Sequence, residues 1–164
     1  MFKSPRLKSI LALCLLLIFG ALIWGWLAIF SRQRGLPNST VKAVNFPLYY
    51  PNKLPANYSL DKSTVQVENQ IVFFSISDKD RKVAFSEQAI PKTPPDFSTL
   101  VKYNPSFVNL DVLAGNAVVG VDPVSQSPIA IAETNTTLIN VSGNKGTPLD
   151  TINKLIQSLS SLPQ

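Results

Sequence analysis

Serine followed three residues later by lysine occurs three times in this chain, at Ser39–Lys42, Ser59–Lys62 and Ser142–Lys145. On a helix that spacing sets a hydroxyl one turn from an amine, an arrangement in which lysine can activate serine for acyl transfer. The same chemistry needs S-D-N and K-T-G elements elsewhere, and neither is present; Lys145-Gly146-Thr147 has the residues in the wrong order. A Ser/Lys dyad of the kind that cleaves leader peptides would need a Ser-Met context, and Met1 is the only methionine. Asp78-x-Asp80 lacks the further oxygen ligands and the glycine of a calcium loop and reads as a solvated turn. The chain has no histidine, and its one cysteine, Cys14, lies inside an apolar run. Downstream of that run there can be no disulfide, Cys/His zinc site, thiol nucleophile or histidine triad. Ten acids matched by ten cations in residues 35–164 give no reason to single out a carboxylate pair. No catalytic residue, metal or cofactor is expected.

The apolar run is Ile10–Phe30, 21 residues without a charge. As a helix it would be about 31 Å long, enough to cross a bilayer. Thirteen of its residues are Leu, Ile or Phe, and together they favour insertion by about 4 to 8 kcal/mol. The run is too long for a cleaved leader, and no A-x-A-like site follows it. Leu13 occupies the place where a lipoprotein signal needs a small residue before Cys14. Ile10–Phe30 therefore reads as an uncleaved transmembrane helix in contact with the lipid bilayer. Lys3, Arg6 and Lys8 precede it, Arg32 and Arg34 follow, and Trp24, Trp26 and Phe30 crowd its far end. These features place residues 1–9 in the cytoplasm and the rest of a single-pass cell-membrane protein outside it. Ala21 and Gly25 form a small-xxx-small pair of a kind common in membrane helices.

All of the formal +5 charge lies beside the apolar run, because residues 35–164 are net zero. A neutral domain without a cationic stripe argues against nucleic acid as a partner. Residues 31–45, polar with Gly35 and Pro37, read as a linker, and residues 46–164 as one domain. Residues 46–58 hold three prolines among aromatics, which fits an extended segment packed across an edge or end of the domain.

Strand signals follow. Ser63–Val67 and Ile71–Ser77 flank Glu68-Asn69-Gln70 as a hairpin, and a charged turn leads to Val83–Gln88. Asp96 caps a short helix, Phe97–Tyr103, stopped by Asn104-Pro105. Asn109–Leu113 with Ala117–Val121, and Ile129–Glu133 with Thr137–Val141, are two more hairpins. Thr147 then reads as an N-cap, with Pro148 at N1 and an acid, Asp150, at N3. Leu149, Ile152, Leu155, Ile156, Leu159 and Leu162 recur on one helical face. The expected fold is α+β: a mostly antiparallel sheet covered on one face by this C-terminal amphipathic helix.

Tyr49-Tyr50-Pro51, then Leu54-Pro55-Ala56-Asn57-Tyr58-Ser59-Leu60, resembles the entry to bacterial membrane-anchored extracytoplasmic domains of unknown function. The closing Leu155-Ile156-Gln157-Ser158-Leu159 is similar to their last helix. Some of these domains are associated with anti-sigma factors, and their curved sheet is similar to that of lipoprotein carriers. The resemblance implies a sensing or binding domain and supplies no catalytic residues.

The expected function is thus a membrane-anchored extracytoplasmic binding or sensing domain without catalytic activity, whose partner is a protein, peptide or lipid. The competing readings are a histidine-free envelope hydrolase, using Ser/Lys or paired carboxylates, and a structural spacer in an envelope complex. The candidate binding surface is the sheet face away from the helix, or the concavity under the 47–58 segment, with Tyr49, Tyr50 and Tyr58 nearby. N-x-S/T sequons begin at Asn38, Asn57, Asn135 and Asn140, a number near chance for this composition.

Overall fold

The computed structural model describes residues 35–104, 106–112 and 114–163. The chain divides into two units at Gly35, and the second, Gly35–Gln164, is compact. The expected cytoplasmic segment, the helix at Ile10–Phe30, Cys14 and the Ala21/Gly25 pair all lie outside the described residues. Among the described residues no helix is long and apolar enough to cross a membrane.

The second unit is mostly antiparallel sheet with a few short helices. Its elements are α1 (Asn38–Val41), β1 (Tyr49–Pro51), β2 (Ser59–Glu68), β3 (Ile71–Ser77), β4 (Lys82–Ala89), α2 (Phe97–Tyr103), β5 (Val108–Val112), β6 (Gly115–Val121), β7 (Pro128–Glu133), β8 (Thr137–Gly143), α3 (Leu149–Gln157) and β9 (Leu159–Ser161). Seven strands form one antiparallel sheet in the order β2-β3-β4-β8-β7-β6-β5, and β1 pairs with β9 as a separate two-stranded ribbon.

The local chemistry behaves as expected at several joints. Asn69 and Gln70 both take positive φ (50° and 63°), which gives the β2–β3 hairpin a type I′ turn matched to strand twist. The Asp96 carboxylate accepts from the Ser98 and Thr99 amides and caps α2. The hydroxyls of the same two residues donate to it as well, at 2.6 Å each, and hold its acid well below the usual carboxylate range, at about 2.

Side-chain parity sorts the sheet into two faces. Phe74, Phe85, Val141, Ala130 and Val119 form one row across β3, β4, β8, β7 and β6, and all are buried. On this face α3 packs against β1 and β5 to β8, with Ile152, Leu155 and Ile156 fully buried in the same core. Phe74 and Phe85 stack with ring centroids 4.6 Å apart, and Tyr50 leans on Phe74 at 5.8 Å.

Three expectations need correction. The segment read as a linker is folded from Gly35 onward: it forms α1, and Leu36, Val41 and Val44 are buried in the core. Its polar residues alternate with these apolar ones, which composition alone conceals. Helix α3 stops at Gln157 instead of running to Leu162. The Ser158 amide donates to the carbonyls of both Lys154 and Leu155, and the chain then extends so that Leu159–Ser161 pairs with Tyr49–Pro51. Leu159 stays buried, as strand rather than helix. At the other end Pro148, not Thr147, holds the cap position. The Thr147 hydroxyl instead donates to Asn144 Oδ1 at 2.6 Å.

Candidate functional site

Four strands present their outward side chains without a covering helix. One outward row runs Phe73, Ser86, Asn140, Ile131 across β3, β4, β8 and β7. The next runs Ser75, Ala84, Ser142, Ile129. Phe73 and the two isoleucines stand above the small side chains between them, leaving an open trough of about 360 Å³ with no charged residue in its lining. Its walls lie on β3 and β7, three interstrand spacings or about 14 Å apart.

Behind each wall the neighbouring strand is braced. Toward β2, the strand register slips between Asp61 and Gln66. The Asp61 carboxylate accepts from the Ser63 amide and hydroxyl, and its carbonyl accepts from the Thr64 hydroxyl. That bulge aims Thr64 Oγ1 at Ser75, which donates to it from both its amide and its hydroxyl at 2.9 Å. Toward β6, Ser106 and Phe107 lie across Gly120, where an added Cβ would sit 2.7 Å from the Ser106 carbonyl oxygen and 2.8 Å from Phe107 Cγ. A side chain there would lift the segment away, so glycine is what lets it close on the sheet.

The floor is polar but uncharged. Asn140 Nδ2 lies 3.5 Å from Ser86 Oγ, a long contact, and Ser142 is exposed. Phe73, 37% exposed, is an unusually open aromatic for a strand centre. An apolar rim over hydroxyl and amide groups is suited to hold a chain with both apolar side chains and hydrogen-bonding backbone.

The expected site residues fall elsewhere. Tyr50 and Tyr58 are buried in the core on the α3 side, and Tyr49 is half-buried against it. The Arg81 guanidinium lies 5.6 Å from the Tyr58 ring centroid, and Arg81 is also ion-paired to Asp78. Asp78 caps its own turn, accepting from the Asp80 and Arg81 amides. The bond from Arg81 holds its acid below the usual range. Of the Ser/Lys pairs, Ser59 and Lys62 lie on a strand, and Ser142 and Lys145 on a strand and the turn after it, so the helical spacing is lost. Ser39 and Lys42, at the end of one-turn α1, are both exposed. Asn140 sits in the trough, whereas Asn38, Asn57 and Asn135 are exposed outside the large sheet's strands.

The trough residues left a signal in the sequence. In β7, Ile129 and Ile131 alternate with Ala130 and Ala132, so both parities are apolar, as in a strand with something to hold on each side. A smaller cavity of about 310 Å³ beside Lys53, Leu54, Pro55 and Lys154 is less developed, because Lys154 is engaged by Asp150 at 2.5 Å. No family model, curated protein or solved structure matches the chain.

Proposed function

We propose that the Gly35–Gln164 unit is a non-catalytic binding domain, held outside the cell membrane by the apolar Ile10–Phe30 segment, and that its trough takes an uncharged stretch of polypeptide. The observation that carries this reading is the charge-free trough across β3, β4, β8 and β7, left open while the other face of the sheet is covered by α3. A hydrocarbon chain would strip water from Ser86, Asn140 and Ser142 without offering them partners, which is costly. A peptide offers amides to that floor and apolar side chains to Phe73, Ile129 and Ile131. The anchor rests on the length and insertion energy of the apolar run, and the resemblance of the two domain ends to anchored extracytoplasmic domains agrees with it.

The test is selection from a displayed library of random peptides on the purified full-length protein. Selected peptides should be rich in apolar residues and poor in charge, and Ser142→Trp, which fills the exposed floor, should weaken them at least tenfold with an unchanged Tm. Binders indifferent to that substitution would rule the trough out. Preferential binding to phospholipid vesicles with the same sensitivity would assign the trough to lipid instead. Labelling of a serine by a fluorophosphonate would overturn the non-catalytic reading.

A further inference from the structure

Residues 46–51 cross the covered side of the sheet as a strap, paired with β9 over Tyr49–Pro51 and tied down by further hydrogen bonds. The Thr137 hydroxyl donates to the Pro47 carbonyl at 2.7 Å, the Leu162 amide donates to the Leu48 carbonyl at 2.7 Å, and the Tyr49 amide donates to Glu87 Oε2 at 2.8 Å. The third is unlike the others. Glu87 is 0% exposed, and its Oε1 has no hydrogen-bond partner among the described residues. We propose that Glu87 is a proton-operated latch: as a neutral acid it fastens the strap to the sheet, and on ionising it lets the strap go.

The surroundings offer nothing to hold a charge. Beside Glu87 on the same face stand Val72 on β3 and Ile139 on β8, with Phe85 two residues away on its own strand. From the strap come the Tyr49 amide and the core residues Leu48 and Tyr50; Tyr50 is itself kept neutral, burial pushing its hydroxyl up. On α3, Asp150 and Lys154 pair with each other at 69% and 64% side-chain exposure, facing water. Burial without a counter-charge pushes the Glu87 acid up to about 8, the Tyr49 amide opposing only in part.

Opening the strap returns Glu87 to water, where its ordinary value is 4.5. The closed form then binds the proton more tightly than the open form. Between pH about 4.5 and about 8 the open-to-closed ratio rises about tenfold per pH unit, and it is flat on either side. This latch is independent of what occupies the trough on the opposite face.

Hydrogen exchange of the full-length protein, corrected for the intrinsic pH dependence of exchange, reads the ratio directly. Protection of the β1 and β9 amides should fall about tenfold per unit from pH 5 to 8 while β6 and β7 amides change less, and Glu87→Gln, which cannot ionise, should abolish the slope. A flat profile in the unsubstituted protein overturns the latch. So does a slope that survives in E87Q, or one shared equally by β6 and β7, which would tie Glu87 to global unfolding. Should E87Q fail to fold, the carbon-13 titration of the Glu87 carboxyl decides: a midpoint near 8 supports the latch, and one near 4.5 overturns it.

Discussion

Gly115 opens β6 at φ 151°, and a Cβ built there would lie 2.0 Å from the Glu133 carbonyl oxygen. That oxygen is main chain and cannot swing aside, so the two strands would have to part. Gly115→Ala should therefore lower the Tm, with a loss of at least about 1 kcal/mol, measured by thermal unfolding; an unchanged Tm would mean that β6 starts differently. Glu87 was legible in principle. In the expected strand 83–88, Val83 and Phe85 face the core, so the period of two carries residue 87 inward with them, and a carboxyl at an inward position is the anomaly to notice. The three tyrosines invited attention by type and grouping, but an aromatic cluster among prolines has no period to tell core from surface. Which way Tyr50 points is decided by β1 meeting β9, a pairing across about a hundred residues of chain.

At the scale of elements, α3 fastens the covered face. Leu155 is 0% exposed and shares the core with Ile152 and Ile156, so Leu155→Ala should cost about 2–5 kcal/mol. Denaturant unfolding gives that number directly, and a variant that unfolds with its parent would take the helix out of the core. The six strands expected from Ile71 onward were readable because hairpin pairing is local and turn residues, such as Asn69-Gln70, announce it. The end of α3 was not, because Leu159 and Leu162 continue its spacing of three. Only the backbone partners supplied by Tyr49–Pro51 make extension the better choice there. The trough belongs to the same class of hidden feature. Phe73, Ser86, Asn140 and Ile131 are unremarkable one at a time, and become a row only once strand order and register are set.

For the molecule as a whole, charge placement argues for orientation. Five cations flank the apolar run and none is in excess beyond it. A reporter enzyme that is active only outside the cytoplasm, fused after Gln164, should be active, and activity from a cytoplasm-only reporter at the same junction would reverse the orientation. The ribbon of β1 and β9 adds a mechanical property. Tyr49 faces Ser161 and Pro51 faces Leu159, so the chain enters and leaves the ribbon at the same end. Tension applied through residues 48 and 162 therefore does not shear the pairs together. It loads the bond from the Leu162 amide to the Leu48 carbonyl first, then the Tyr50 and Ser160 pair, then the bond from the Asn52 amide to the Ser158 carbonyl. The rungs of the ribbon are thus loaded one after another, as in a zipper, and not all at once as in shear.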